Sequence, residues 1–135
     1  MTVNIEKALF ARLNALVLSP VLPIAWPNKS FDKPADQKYL RAVFVPNTAN
    51  RVLIGSAEPH QLLGLLQVSV YWTKNDGEIA ARAIADAVAA HFSCDLRLTF
   101  GAQRVRITKQ PDVRDMIVED AAIQIPVMIA WEAWA

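Results

Sequence analysis

The 135-residue sequence has one cysteine, two histidines and four glycines, and each shortage excludes a class of protein. A single cysteine, Cys94, cannot form a disulfide within the chain, so the fold must be stable without a covalent cross-link. The glycines are scattered, so no glycine-rich phosphate loop is present. His60 and His91 have no cysteine or carboxylate at metal-ligand spacing, and we expect no metal, no cofactor and no catalytic group.

The chain also lacks an excess of charge of either sign, with 14 basic and 13 acidic residues. Proteins that bind nucleic acid usually have a clear excess of basic over acidic residues, so we expect no nucleic-acid partner. The longest apolar stretch, residues 15–26, is interrupted by Ser19, Pro20 and Pro23 and is too short to span a membrane. The N-terminus has no basic region followed by an apolar one, so we expect neither a signal peptide nor a membrane partner.

Apolar residues, in contrast, are abundant. They make up 53% of the chain, and the mean hydropathy is +0.20. The length favours a single domain over residues 1–135. A large exposed apolar patch marks an association site, so the apolar surplus is a first indication of an oligomer.

Two stretches have the apolar spacing of amphipathic helices, residues 4–17 and 79–92. Asn4 is the expected N-cap of the first helix, and Asn75 or Asp76 that of the second. In the second, Glu78 follows Asn75 by three residues, as in a capping box.

Alternating apolar and polar residues predict strands at residues 40–45, 62–73, 96–107 (a hairpin with its turn at 101–102) and 121–131. Residues 46–60 are expected to form a loop. Pro126 cannot donate a ladder hydrogen bond, which predicts that the last strand lies at an edge or is bulged there. The element order predicts an α+β fold: a mainly antiparallel β-sheet packed against two α-helices.

Two charged clusters were considered as sites. The acidic one matches no calcium loop and is best interpreted as a solvated turn; it consists of Asp112, Asp115, Glu119 and Asp120. The basic one, predicted on the outer face of the hairpin, is either a solvated face or a contact for phosphate or a partner; it consists of Arg97, Arg104 and Arg106.

Two tryptophans near the C-terminus differ in phase. Trp131 follows the inward alternation of its strand, and Trp134 does not. Trp134 is therefore either a core residue or an anchor for a neighbouring subunit.

One aromatic segment and the elements after it carry a series of motif positions: Trp26, Asn28, Phe31, Pro34, Tyr39, Leu40, Arg41, Gly64, the run Gln67–Trp72, Gly77 and Phe92. In their order and spacing these residues resemble phage tail terminator-like proteins, a family of small α+β proteins. The resemblance covers roughly residues 5–92. We interpret Trp26, Phe31 and Tyr39 as structural residues that fix an irregular segment on the sheet.

The resemblance implies a structural role without covalent chemistry. Such proteins form a six-subunit ring that caps the tail tube, ends its polymerisation and presents the tail to the head connector. The implied partners are further copies of the chain, the tail tube protein and the head-tail connector protein. The implied location is the virion tail, assembled in the cytoplasm of the bacterial host.

A contact surface is expected on the loop, since functional contacts concentrate on loops held by a rigid scaffold. The candidate oligomer or tube interface comprises Arg51, Val52, Leu53, Ile54, His60 and Trp134. Two alternatives stay open: another neck or tail-completion component with the same fold, and a small ligand-binding domain or enzyme with a site between helix and sheet.

Overall fold

The computed structural model describes residues 2–18, 21–50 and 60–134, and these form two helices and eight strands. In chain order the elements are α1 (Thr2–Asn14), β1 (Ile24–Ala25), β2 (Tyr39–Asn50), β3 (Gln61–Thr73), α2 (Ile79–His91), β4 (Arg97–Phe100), β5 (Gln103–Ile107), β6 (Asp112–Val113), β7 (Ile117–Val118) and β8 (Ala122–Trp134).

The strands form one sheet in the order β1-β2-β3-β8-β5-β4, with β6 and β7 also paired to β8. Only the two-residue β1 runs parallel to its neighbour; the other described pairings are antiparallel. The central pair, β3 and β8, stays in register from Gln61 opposite Trp134 to Thr73 opposite Ala122. The predicted α+β fold with a mainly antiparallel sheet and two helices is confirmed.

One face of the sheet carries the core, because alternate residues of each strand point to the same side. Both helices contribute to the same buried cluster as this inner face. Its members include Leu62, Leu66, Val68, Val70 and Trp72 of β3, Ile123, Ile125, Val127, Ile129 and Trp131 of β8, Ile5, Leu9 and Leu13 of α1, and Ile84 and Val88 of α2.

The predicted helix caps were wrong. Helix α1 already includes Thr2, so Asn4 lies inside it. In α2 the N-cap position is Glu78, which makes no side-chain cap bond and instead pairs with Arg82 at 3.0 Å. Asn75 adopts a left-handed φ of 66°, and Asp76 accepts a hydrogen bond from Trp72 Nε1 at 3.3 Å.

The predicted edge position of Pro126 was also wrong, since β8 lies between β3 and the strands β5, β6 and β7. The N–H and C=O of one strand residue point to the same side. The Pro126 carbonyl accepts from the Arg114 N–H at 2.9 Å, on the side of β6 and β7. The missing Pro126 donor therefore faces the break between β6, which pairs at Val127–Met128, and β7, which pairs at Ile123–Gln124.

The prediction of a loop from residue 46 was wrong for residues 46–50, which belong to β2. Strand β2 continues to Asn50, with a register shift between Pro46 and Thr48, and His60 lies directly before β3. Residues 51–59, which include the predicted contact residues Arg51, Val52, Leu53 and Ile54, lie outside the described residues.

Candidate interaction surface

The aromatic motif residues lie on both faces of the sheet. On the outer face, Phe31 packs against Tyr39 with ring centroids 5.1 Å apart, and Tyr39 stacks on Tyr71 of β3 at 4.6 Å. Near helix α1, Trp26 packs against Phe10 at 4.9 Å. These contacts tie the proline-containing segment between β1 and β2 to both the sheet and a helix.

Arg41 adds a charged contact to the same aromatic stack. Its guanidinium carbon lies 6.0 Å from the Tyr39 ring centroid and 5.9 Å from that of Tyr71, within the range of cation–π attraction. Burial raises the pKa of Tyr71, and the charge of Glu119 raises it further, although Arg41 acts in the opposite direction. The phenol therefore stays neutral well into the alkaline range.

The non-aromatic motif residues Asn28 and Pro34 lie in turns, and Gln67 lies on the outer face of the sheet. Asn28 has a left-handed φ of 53°, and the Pro34 carbonyl accepts from the Gln37 N–H at 3.0 Å. Gln67 Nε2 donates to Ser69 Oγ at 3.1 Å, which satisfies a buried hydroxyl.

Gly64 is the motif residue with the least space around it. A Cβ atom there would lie 2.8 Å from Trp131 Cε2 and 2.5 Å from the Val45 carbonyl oxygen. The Trp131 ring is buried and stacks on Phe44 at 5.5 Å. The glycine thus makes room for the indole over the centre of the sheet.

A polar network closes one end of the sheet, where β3, β8 and β5 meet. Arg106 donates to Asp95 at 3.0 Å and to Glu132 at 3.4 Å, and Gln61 Nε2 donates to Glu132 Oε2 at 3.0 Å. The hydrogen bond to Asp95 and the charge of Glu132 raise the pKa of Arg106. Arg106, one of three arginines considered together from the sequence, is therefore neutralised by neighbours.

The other two arginines, Arg97 and Arg104, are exposed, and no carboxylate of the described residues lies within ion-pair distance of either. They line a solvent-open groove of about 470 Å³, together with Thr99, Ala102, Trp134 and the ion-paired side chains Arg106 and Glu132. We call this the arginine groove. It combines two unpaired cations with an aromatic ring.

Trp134, the candidate anchor, is 44% exposed at the end of β8. Its carbonyl accepts from Gln103 Nε2 at 3.1 Å, which holds the strand end against β5. Its register partner in β3 is Gln61, the residue after His60. Two of the predicted interface residues, Trp134 and His60, therefore lie at the same end of the sheet.

An exposed segment at the opposite end of β8 was not predicted as a site. Every residue from 114 to 121 is exposed, including the consecutive apolar side chains Met116 (38%), Ile117 (47%) and Val118 (59%). We call residues 115–120 the acidic-apolar segment, because this triplet lies between Asp115 and the pair Glu119–Asp120. The sequence signal that could have indicated this site is a run of three apolar residues that do not alternate with polar ones and are flanked by acidic residues.

His91 belongs to a contact between the helix ends. The Arg12 guanidinium donates to the His91 carbonyl at 2.9 and 3.2 Å, and His91 Nε2 donates to the Arg12 carbonyl at 2.7 Å. Burial lowers the pKa of His91, and the charge of Arg12 also lowers it, while the bond to the Arg12 carbonyl opposes them. The geometry gives this histidine a structural role.

The described residues contain no group of three or more histidine, cysteine, aspartate or glutamate side chains placed to hold a metal ion. Neither α1 nor α2, the helices of the described ranges, is long and apolar enough to cross a membrane.

Comparisons with known proteins identify a family and a similar solved structure. A family model described as phage tail terminator protein matches residues 4–131. A solved structure, of a protein named only by a sequence identifier, is similar with a TM-score of 0.77 and 30% sequence identity, over 96% of this chain and 92% of the other. No curated protein matches the chain.

Proposed function

The chain belongs to the phage tail terminator protein family and is thus a structural component of the phage tail, and from this premise we propose that it caps the tail tube. In this proposal copies of the chain form a closed ring, with six subunits as the expected number. The ring binds the last tube ring, ends polymerisation and presents the tail to the head-tail connector protein. Assembly takes place in the cytoplasm of the bacterial host.

The observation that carries the proposal is the family match over residues 4–131, nearly the whole chain. The family is a structural one and not an enzyme family, so the proposed mechanism uses complementary surfaces and no covalent step. One surface of the ring matches the tube end, and the opposite surface does not accept a further tube ring. The contiguous exposed apolar side chains Met116, Ile117 and Val118 support association, because soluble monomers rarely expose large contiguous apolar patches.

We assign the end of the sheet near Trp134 and His60 to contacts with the tube or with the next subunit. Asn50 and Gln61 are register partners at this end, and the stretch of sequence between them contains residues 51–54. Replacing Arg51 and Ile54 together by aspartate should preserve the fold and weaken ring or tube binding. Unchanged assembly of that variant would remove this segment from the interface.

The direct test is tube growth in the presence of the chain. The tail tube protein of the same phage is polymerised with and without the chain, and tube lengths are measured by electron microscopy. We expect shorter tubes, each with extra density at one end only. The double-aspartate variant tests whether segment 51–54 is required, and a variant with Lys29 and Lys33 replaced by glutamate serves as a charge control.

Tubes of unchanged length without end density would contradict capping. If the chain instead binds the purified connector protein and ignores the tube, the neck or tail-completion function replaces the present proposal.

A further inference from the structure

We propose that the arginine groove of one copy binds the acidic-apolar segment of a second copy, which makes these two surfaces the subunit contact. The inference rests on the proposed function, since it specifies how copies of the chain join into a ring. It is argued from the charge, exposure and position of the two surfaces.

The groove offers what an acidic and apolar segment requires. Arg97 and Arg104 have no carboxylate partner among the described residues, so both are available for charge-assisted hydrogen bonds. Trp134 and Ala102 supply apolar contact area in the same groove, as do the aliphatic stems of the arginines. Tryptophan and arginine are the residue types that dominate binding energy at protein interfaces.

The acidic-apolar segment has the charge and apolar surface that complement the arginine groove. Asp115 and Asp120 are exposed, and their carboxylates make no ion pair within the described ranges. Between them lie Met116, Ile117 and Val118, and a run of three exposed apolar residues is unfavourable unless it has a function.

The segment is also held in place before any partner binds. Its Ile117 and Val118 pair with Gln124 and Ile123 of β8, and Glu119 accepts from Gln124 Nε2 at 2.7 Å. A preorganised segment loses little conformational freedom on binding, which favours affinity.

The two surfaces cannot meet within one chain. Val118 pairs with Ile123 at the start of β8, whereas the groove includes Trp134 at its end. Eleven residues of strand separate them by about 36 Å, at roughly 3.3 Å per residue. Only a second copy can bring them together, and a contact between two different surfaces is heterologous, the type that generates closed rings.

The test uses two charge-reversal variants of the full chain. The groove variant carries Arg97→Glu and Arg104→Glu, and the segment variant carries Asp115→Lys and Asp120→Lys. Association is measured by sedimentation velocity over a concentration series at low and high salt. Circular dichroism confirms that each variant is folded, as expected for exposed positions.

We expect concentration-dependent association of the wild type that weakens with added salt, because the contact depends on charge. Each variant alone should associate at least about tenfold more weakly, since like charges now face each other. Mixing the two variants should restore association, because every groove then meets a segment of opposite charge. The control variant Lys29→Glu with Lys33→Glu should behave as the wild type.

A second measurement detects weak contacts. Thr99→Cys in the groove and Ile117→Cys in the segment are combined in a Cys94→Ser background and oxidised. Cross-linked species larger than one chain, which neither single-cysteine variant forms alone, support the contact, since the two cysteines of a single copy are too far apart to join.

Variants that associate as the wild type, or a mixture that fails to regain association, would overturn the inference. A wild type that stays monomeric and yields no cross-link would overturn it as well. The tube-length assay decides separately whether the chain caps tubes, so capping by a ring with another subunit contact remains distinguishable.

Discussion

Replacing Gly64 by alanine tests whether the central sheet is built around the Trp131 indole. In a strand without steric conflict, alanine is favoured over glycine by about 0.5–1 kcal/mol, so the substitution would normally stabilise the fold. Here the added Cβ would lie 2.5 Å from the Val45 carbonyl oxygen and 2.8 Å from Trp131 Cε2. A lower free energy of unfolding in Gly64→Ala therefore indicates a steric conflict, and a higher one indicates that there is none.

The expected magnitude follows from these contacts. Overpacking a close-packed site costs about 1–3 kcal/mol, and the conformational advantage of alanine offsets up to about 1 kcal/mol of it. Trp131 cannot move aside easily, because it is buried and stacks on Phe44. We expect a net loss of about 1–2 kcal/mol, which for a domain of this size lowers Tm by roughly 3–10 °C.

Urea denaturation followed by tryptophan fluorescence measures the loss, and a double-mutant cycle assigns it. In a Trp131→Phe background the smaller ring removes part of the conflict, so Gly64→Ala should cost less there. Gly101→Ala is the control: it lies in an open turn with a φ of 60°, and its cost should be the same in both backgrounds. A Gly64→Ala protein as stable as the wild type would refute the reasoning.

Three further outcomes are expected in denaturation experiments. Arg12→Ala should lower the free energy of unfolding by about 1–2 kcal/mol, because two charge-assisted hydrogen bonds to the His91 carbonyl are lost at a half-exposed site. The free energy of unfolding should also fall with acidification below pH 6.5, because the folded pKa of His91 is lowered. The contribution of His91 to stability is complete above the unfolded pKa of 6.5 and is lost as the pH falls through the folded pKa. A flat stability profile over this window, or the same slope in His91→Gln, would contradict the prediction. Phe31→Ala should cost at least about 0.5–1.5 kcal/mol, the value of its ring pair with Tyr39 beyond area burial, and an unchanged midpoint would show that this contact contributes nothing.

The elements with strong periodicity were predictable from the sequence. The alternation in residues 62–73 predicted β3 because its buried face is continuous, and the spacing of Ile84, Val88 and Phe92 predicted α2. Both signals are local, since each depends only on which face of one element is apolar.

The predictions that failed depend on contacts that residue type alone does not reveal. Proline in a strand predicts an edge, but Pro126 is tolerated in the central β8 because its missing donor faces the break between β6 and β7. Asp76 was a reasonable cap by residue type, yet it accepts a hydrogen bond from Trp72, four residues earlier, and forms an ion pair with the distant Lys38 at 3.8 Å.

The candidate interaction residues were also predictable from the sequence only in part. The phase of Trp134 indicated correctly that it differs from Trp131, and the sequence placed Arg97, Arg104 and Arg106 on one face. It could not show that Arg106 is neutralised by Asp95 and Glu132 while the other two arginines are not. That distinction depends on the pairing of β5 with β8, which brings Arg106 and Glu132 opposite each other.

Strand β8 relates the two proposed contact surfaces to the geometry of assembly. It extends from the acidic-apolar segment to the arginine groove. A strand between two complementary surfaces fixes their separation and relative direction, and these two quantities determine whether a head-to-tail contact closes into a ring or continues as a filament. A one-residue insertion next to Pro126 that creates a bulge in β8 should therefore change ring size or closure before it abolishes the contact. Electron micrographs of such a variant would test this directly, and rings of unchanged diameter would show that β8 does not set the geometry.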